Sequence, residues 1–138
     1  KLDDWVLPIG KARIMREGAD VTILAYGTMV HVALAAAEDT GIDAEVIDLR
    51  TLNPLDFETI RAAVEPIGRA MVVSEGPLTA GVAAELSARI TEECFDFLHD
   101  PVIRVAGEDV PISVSTALEA ASVPSADLVA ETARKMLV

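Results

Sequence analysis

The side chains that most often carry out chemistry are few and scattered in this sequence. His31 and His99 are the two histidines, Cys94 is the single cysteine, and no H-E-x-x-H or G-x-S-x-G motif occurs. A zinc site needs several closely placed ligands, and a serine nucleophile needs the strained turn that its flanking glycines allow. The sequence therefore predicts neither a metallohydrolase nor a serine hydrolase.

The glycine-rich loops that hold phosphate groups are also absent. Neither G-x-G-x-x-G nor G-x-x-x-x-G-K-[ST] occurs, and these are the motifs whose backbone N–H groups surround a diphosphate or triphosphate. Open parallel sheets bind ligands beyond the carboxyl ends of their strands. The segments to examine are therefore 27–28, 50–53, 74–81 and 106–109, and none of them resembles a nucleotide cradle.

His31 and Cys94 lie in predicted helices but on different kinds of surface. His31 falls on the opposite side of its helix from Met29 and Val32, so its imidazole faces either solvent or a partner. Cys94 falls in an apolar row, where a thiol packs as a small hydrophobic group. We treat His31 as a candidate interface residue and Cys94 as part of the core.

Arg50 and Glu75 follow predicted strands at the edge where function is expected. Arg50 could serve a site there, or it could form a local surface ion pair with Asp48. Glu75 could face a partner, or its carboxylate could cap the backbone amides near Thr79. The sequence leaves the two alternatives for Arg50 open and favours the capping role for Glu75.

The loop 75–81 is a candidate protein contact. Gly76 and Gly81 have no side chain, so another backbone could approach them closely, and Thr79 lies between them. Gly81 also precedes a predicted helix, so this glycine could instead serve only to let the strand turn into the helix. Val138, at the end of the predicted last helix, is a further candidate contact.

Four short apolar runs are spaced so that a helix fits between successive runs. They are 21–26, 44–49, 70–73 and 102–105. Their apolar residues are nearly continuous, which indicates strands buried on both faces of a parallel sheet. Apolar and basic residues alternate over 11–16, so this segment is predicted to be an edge strand.

Helices are predicted between and after these strands. The segment 28–40 ends at Gly41, which suits the left-handed conformation that follows many helices. Asp56 can cap a second helix that runs to about Glu65, with Leu55 packed on Ile60 in a hydrophobic staple. Ser125 can cap a last helix. The apolar face of the first helix is Met29, Val32, Ala33 and Ala36.

A row of apolar residues at four-residue spacing predicts a long third helix of about five turns. The row is Val82, Leu86, Ile90, Cys94 and Leu98. The order of all these elements predicts a three-layer α/β/α sandwich around a mostly parallel five-stranded sheet, with an antiparallel edge strand. Residues 11–138 are expected to form this domain, and 1–10 and 107–115 are linker-like.

Composition limits the class of protein. The 138 residues, 51% of them hydrophobic and 25% charged, fit a single globular domain. A net charge of −12 disfavours nucleic-acid binding and favours basic partners. One cysteine excludes an internal disulfide and fits a reducing cytoplasm or organelle matrix. The apolar runs are far shorter than the roughly 20 residues that cross a bilayer.

Several longer motifs carry a resemblance to a known family. They are LPIGKA at 7–12, VTILAYGTMVH at 21–31, EVIDLRTLNPLD at 45–56 and DVPI at 109–112. The chain resembles the C-terminal, transketolase-like domain of the beta subunit of 2-oxo acid dehydrogenases, including the pyruvate, branched-chain 2-oxo acid and acetoin enzymes. Ser74 and Leu78 depart from the histidine and arginine that many members carry, so no role of those residues is transferred.

The resemblance implies a role in assembly. The full enzyme would oxidatively decarboxylate a 2-oxo acid and transfer the acyl group to lipoamide. It would use thiamine diphosphate and magnesium held between an alpha subunit and a pyrimidine-binding domain upstream of residues 1–10. The resemblance assigns no catalytic, cofactor or metal residue to this chain, and the isolated domain is predicted to be inactive. Its implied partners are the alpha subunit, a second beta subunit and the basic subunit-binding domain of the acyltransferase core.

Two other interpretations stay open. Transketolase and 1-deoxy-xylulose-phosphate synthase contain the same type of domain and part of these motifs. A free-standing small-molecule binding module would instead use the cleft at the carboxyl ends of the strands.

Overall fold

The computed structural model describes residues 6–39, 41–111 and 113–138. They contain a five-stranded sheet in the order β1-β3-β2-β4-β5. The strands are β1 (Arg13–Arg16), β2 (Val21–Ala25), β3 (Ala44–Asp48), β4 (Ala70–Pro77) and β5 (Ile103–Gly107). The helices are α1 (Met29–Asp39), α2 (Phe57–Ile67), α3 (Val82–Cys94), α4 (Thr116–Ser122) and α5 (Ala126–Lys135).

The sheet has the predicted directions. The pairs β2·β3, β2·β4 and β4·β5 are parallel, whereas β1 runs antiparallel to β3. All five residues of β2 are buried, as expected for a central strand covered on both faces. β1 is short and carries Arg13 and Arg16 at its ends, a composition that discourages a further strand from pairing with a sheet edge. The predicted five-stranded fold is confirmed.

The helices cover both faces of the sheet. Val21 and Ile23 point to the face where α1 and α5 pack. Leu24 points to the other face, where α2 and α3 pack. On α1 the buried row includes Val30, whereas the predicted Val32 is half-buried. Gly41 has the left-handed backbone expected after this helix, with φ of 65°. This alternation along β2 yields the three-layer α/β/α sandwich.

α2 extends further than predicted. Asp56 caps its start by accepting a hydrogen bond from the Thr59 backbone N–H. The helix continues past Pro66 to Ile67 and stops at Gly68, whose φ is 72° and whose N–H bonds to the Val64 carbonyl. Proline removes one helical N–H donor, and in the last turn that loss interrupts little of the helix. The predicted end at about Glu65 was therefore too early.

The prediction of one apolar row along a five-turn helix was wrong. α3 ends at Cys94, and a 3-10 turn (Phe95–Phe97) precedes Leu98. The buried face of α3 consists of Ala83, Leu86, Ile90 and Cys94, while Val82 is 37% exposed. Four residues advance a helix by about 40° more than one turn, so a strict four-residue row spirals off any single face. Ala83 takes the place on the core side that Val82 was predicted to hold.

Two further differences lie near the carboxyl ends of the strands. β4 continues to Pro77, beyond the predicted 70–73, with a register shift against β5 between Ser74 and Pro77. α4 was not predicted at all. None of its seven residues is buried, so it carries no apolar periodicity that a sequence pattern would reveal.

Among the residues that the structure describes, no helix combines the length and apolar composition needed to cross a membrane.

Candidate functional site

The carboxyl ends of β2 and β4 form the topological switch point of the sheet. These strands are neighbours, yet the helix after β2 packs on one face and the helix after β4 packs on the other. Diverging connections leave a crevice between the two strand ends, which is the usual ligand position in open α/β sheets. The polar residues in this crevice are therefore the first candidates for function.

Ser74 lies at the base of this crevice with its polar group already in use. It is fully buried, and its Oγ lies 2.8 Å from the Tyr26 hydroxyl. The Gly76 backbone N–H also donates to Ser74 Oγ at 3.2 Å. A buried hydroxyl with two partners fixes the strand ends relative to each other. The arrangement supports a structural role for Ser74 rather than that of an activated nucleophile.

Above Ser74, a shallow cavity of about 310 Å³ opens between α1 and α4. Glu75 Oε2 accepts a hydrogen bond from Thr28 Oγ1 at 3.2 Å on one wall. Glu119 and Thr116 of α4 lie on the other side. The charged groups of the cavity are two carboxylates, which lie beside two hydroxyls and three apolar side chains.

The loop after β4 is fastened to the loop after β5. The Leu78 backbone N–H donates to the Gly107 carbonyl at 3.0 Å, and Arg104 Nη1 donates to the Leu78 carbonyl at 3.0 Å. The Thr79 backbone N–H donates to Asp109 Oδ1 at 3.0 Å, and the Thr79 hydroxyl donates to Asp109 Oδ2. The side-chain and backbone hydrogen bonds from Thr79 lower the pKa of Asp109 below its ordinary value. The loop pair is therefore ordered before any partner arrives.

The predicted capping role of Glu75 was wrong. The carboxylate that receives the Thr79 amide belongs to Asp109, whereas Glu75 turns toward Thr28. Asp109 lies 30 residues from Thr79 along the chain, so local sequence reasoning could not pair them. Their juxtaposition follows from the parallel neighbours β4 and β5, whose carboxyl ends meet at one edge.

The two candidate glycines of the loop differ in their surroundings. A Cβ at Gly81 would lie 2.2 Å from the Pro77 carbonyl oxygen, whereas a Cβ at Gly76 would meet only Ser74 Oγ at 3.5 Å. Gly81 is thus needed for the chain's own packing at the start of α3, which favours the turn interpretation. Gly76 is half-buried and tolerates a Cβ, so its small size stays compatible with a close contact.

His31 and Arg50 lie at the same edge as Glu75. His31 is exposed in the first turn of α1, as predicted. Arg50 adopts a left-handed φ of 57°, and its backbone N–H donates to Asp48 Oδ1 at 2.9 Å. Within the described residues the Arg50 guanidinium forms no ion pair, so the Asp48 carboxylate serves the turn rather than the arginine side chain.

Val138 lies near the amino ends of β4 and β5, opposite to the carboxyl ends where Glu75 lies. It lines a cavity of about 530 Å³ together with Arg69, which precedes β4, and Pro101, which precedes β5. Arg69 Nε is 3.4 Å from Asp100 Oδ2 in this cavity. The structure therefore brings Glu75, Gly76, Thr79, Gly81, His31 and Arg50 to the carboxyl edge and leaves Val138 apart from them. The predicted contact residues form two surfaces and not one.

Clustered metal ligands and an accessible thiol are two further candidates for chemistry. Among the described residues, no three His, Cys, Asp or Glu side chains converge where they could hold a metal ion. Cys94 is fully buried, and burial raises the pKa of its thiol. Thr28 and Asp109 fall in segments that were predicted to lie at the carboxyl ends of the strands, but neither was named as a site residue. Tyr26 was predicted only as the last residue of a strand, and no sequence signal paired it with Ser74.

Comparison with known proteins places this geometry in a family. The family described as "Transketolase, C-terminal domain" matches residues 10–129. The 2-oxoisovalerate dehydrogenase subunit beta of Pseudomonas aeruginosa is 52% identical over 107 residues, which are 78% of this chain and 31% of that protein. The mitochondrial pyruvate dehydrogenase E1 component subunit beta-1 of Arabidopsis thaliana is 49% identical over 123 residues, 87% of this chain and 34% of that protein.

A solved structure shares the fold over nearly the whole chain. It is a split-gene transketolase, described as an inactive beta4 tetramer, with a TM-score of 0.79, 30% sequence identity and coverage of 97% of this chain and 43% of that one. This chain thus spans about a third of the length of the two curated relatives. Their names confirm the resemblance to 2-oxo acid dehydrogenase beta subunits. The chain belongs to the transketolase C-terminal domain family.

Proposed function

We propose that this chain is the C-terminal assembly domain of the beta subunit of a thiamine-diphosphate-dependent 2-oxo acid dehydrogenase. The observation that carries the proposal lies at the carboxyl ends of the strands. There the loops after β4 and β5 are hydrogen-bonded to each other, so the surface that they form is already in place without a partner. Catalytic sites usually keep a nucleophile or base free to reach substrate. Here Ser74, Thr79 and Asp109 are occupied by neighbours within the chain.

In the full enzyme, thiamine diphosphate and magnesium would supply the chemistry of decarboxylation. The residues of the carboxyl edge do not fit that cofactor. Glu75, Asp109 and Glu119 are acidic, and the guanidinium of Arg104 already donates to a carbonyl. Arg50 is left as a cation without an ion pair among the described residues, and one guanidinium does not offset three carboxylates. A diphosphate needs cations or free backbone N–H groups. We therefore assign cofactor binding to an alpha subunit and to the part of the beta subunit that precedes this domain.

The proposed partners are the alpha subunit, a second beta subunit and the subunit-binding domain of the acyltransferase core. The net charge of −12 suits a basic docking domain, because opposite charges speed and orient encounter. The proposed location is the cytoplasm or an organelle matrix, which agrees with the mitochondrial name of the Arabidopsis relative. The second candidate is the corresponding domain of a transketolase. The structural likeness favours it, but its sequence identity of 30% is lower than that of the dehydrogenase subunits.

Two binding measurements test the proposal. Calorimetric titration of this chain with thiamine diphosphate, magnesium and 2-oxo acids should give no binding, and no 2-oxo acid should be turned over. A stand-alone binding module would instead show saturable heat with one of these molecules. Turnover of a 2-oxo acid by this chain alone would contradict the assembly role.

Docking is tested on the complete alpha–beta enzyme. Its affinity for the acyltransferase's subunit-binding domain should fall steeply with added salt, because the Debye length is about 10 Å at 0.1 M and shrinks further at higher ionic strength. Glu75→Gln should weaken the complex, whereas Glu92→Gln, an exposed change on the far side of α3, should leave it unchanged. Salt-insensitive binding would count against an electrostatic docking surface.

A further inference from the structure

Glu45 is a buried carboxyl group near the start of β3. The residue is 8% exposed, and its register partner in β2 is Thr22, which is fully buried. Thr22 Oγ1 lies 3.4 Å from Glu45 Oε2 and 3.4 Å from the carbonyl oxygen of Ala63 in α2. One hydroxyl group thus lies between a carboxyl group of the sheet and a carbonyl group of the helix that covers it.

The surroundings of Glu45 do little to stabilise a negative charge. Buried charges are normally paired with an opposite charge or with several hydrogen-bond donors. Among the residues that the structure describes, the Thr22 hydroxyl is the one side-chain donor to Glu45. Burial raises the pKa of Glu45 above its ordinary 4.5, the hydrogen bond from Thr22 opposes this rise, and the Glu17 carboxylate adds to it.

Other charged side chains on the surrounding elements serve different partners. In the described part of the chain they form the ion pairs Arg16–Asp43, Lys11–Asp56, Lys11–Glu58, Arg61–Glu65 and Arg69–Asp100. Arg13 lies beside Asp48, at the other end of β3. None of these groups supplies a cation to Glu45, so Glu17 is the ionisable group that acts on it.

The turn that carries Glu17 is packed tightly on the start of β3. Two backbone N–H groups of this turn donate to the Asp43 carbonyl at 2.8 Å, and the Asp20 carboxylate accepts the Asp43 backbone N–H at 2.9 Å. A Cβ on Gly18 would lie 2.4 Å from the Glu45 backbone nitrogen, so this close approach requires glycine. The turn therefore keeps the exposed Glu17 carboxylate near the buried one.

The Thr22 hydroxyl has two acceptors but only one hydrogen to donate. An ionised Glu45 can only accept, and it then takes this hydrogen. A protonated Glu45 can instead donate to Thr22 Oγ1, which frees the Thr22 hydrogen for the Ala63 carbonyl. In that form a continuous chain of hydrogen bonds joins β3 to β2 and β2 to α2.

We propose that Glu45 is a pH-sensitive switch: protonation of its carboxylate turns the Thr22 hydroxyl from Glu45 to the Ala63 carbonyl and fastens α2 to the sheet. Ionisation reverses the turn and leaves the buried charge beside Glu17. Since the folded-state pKa lies above the ordinary 4.5, the stabilising contribution is fully present below pH 4.5 and is lost as the pH rises through the folded-state value. This inference concerns packing within the domain and does not rest on the proposed function.

A carbon-13 NMR titration of the 138-residue chain tests the switch. We expect the Glu45 carboxyl carbon to titrate with a midpoint above pH 4.5, and the Ala63 carbonyl carbon to shift with the same midpoint. The Val64 carbonyl, which accepts the Gly68 N–H, is the control and should not shift there. A Glu45 midpoint at or below 4.5 would overturn the proposal. So would an Ala63 signal that does not follow Glu45, or one that Val64 matches.

Variants at Thr22 separate the role of the hydroxyl from that of packing. Thr22→Val has nearly the same shape without the hydroxyl, so the Ala63 shift should disappear and the Glu45 pKa should rise, because the carboxylate loses its donor. Thr22→Ser keeps the hydroxyl and should keep the shift. Glu17→Gln should lower the Glu45 pKa toward 4.5, because it removes a like charge. An Ala63 shift that persists in Thr22→Val would overturn the role of the hydroxyl.

Glu45→Gln tests the consequence for stability. Its amide is uncharged at every pH and can donate to Thr22 as the protonated acid does. Its melting temperature should exceed that of the parent protein at neutral pH, and the difference should shrink as the pH falls toward 4.5. Other carboxyl groups titrate in both proteins, so the difference isolates Glu45. A difference that is the same at every pH would overturn the switch.

Discussion

Replacement of Gly81 by alanine tests why a glycine stands at the start of α3. The backbone of Gly81 has φ of −81° and ψ of 167°, which alanine can adopt without strain. The obstacle is contact, because the new Cβ would lie 2.2 Å from the Pro77 carbonyl oxygen and real Cβ contacts stay beyond 3.0 Å. Either Pro77 or the first turn of α3 must therefore move by about 0.8 Å, the difference between these distances.

The size of the effect follows from this displacement. Overpacking a well-filled site costs about 1 to 3 kcal/mol. Unfolding entropy is about 2.1 cal/mol/K per residue, so for 138 residues each kcal/mol lowers the melting temperature by about 3.4 °C. Gly81→Ala should therefore melt about 3 to 10 °C below the parent protein. The control is Gly76→Ala, since its Cβ would meet only Ser74 Oγ at 3.5 Å.

Circular dichroism melts of the three proteins measure the difference, and sedimentation of the complete beta subunit with its alpha partner measures assembly. We expect the Gly81 variant to lose stability first and to lose assembly only in proportion. A melting temperature equal to that of Gly76→Ala would refute the argument from the Pro77 contact. Lost assembly without lost stability would instead restore Gly81 as an interface residue.

Two other predictions concern the core and the loop pair. Ile90→Ala should lower the free energy of unfolding by about 3 kcal/mol, because the side chain is fully buried between α3 and the sheet and its removal leaves a cavity. Urea unfolding would measure this loss. A loss below about 1 kcal/mol would show that the neighbouring side chains close the cavity. Asp109 has a folded-state pKa below its ordinary 3.8, so its contribution to stability is present above that pH and is lost as the pH falls through the folded-state value. Thr79→Val should return the pKa toward 3.8, as followed by carboxyl NMR, and an unchanged value would contradict the assignment of its cause to Thr79.

Several features of this protein were determined locally and could be predicted from the sequence. The central strands follow from short continuous apolar runs, because burial on both faces requires apolar residues at every position. Asp56 and Ser125 cap α2 and α5 as predicted, since a capping side chain reaches only three residues along its own helix. The exposure of His31 follows from the periodicity of α1. These features depend on neighbours within one or two turns of chain.

The tertiary structure decided what depends on distant residues. It paired Thr79 with Asp109 because β4 and β5 are parallel neighbours, and it placed the Pro77 carbonyl against Gly81. It also let α4 form without a buried face, and it ended α3 at Cys94 where the next turn tightens. No periodic pattern encodes the Thr79–Asp109 pair, because it is set by the register and direction of two strands that lie far apart in sequence. The Pro77–Gly81 contact joins residues close in sequence, but it depends on the shape of the turn into α3. Strand direction also separates Val138 from Glu75. Val138 lies near the amino ends of β4 and β5, and Glu75 lies near their carboxyl ends.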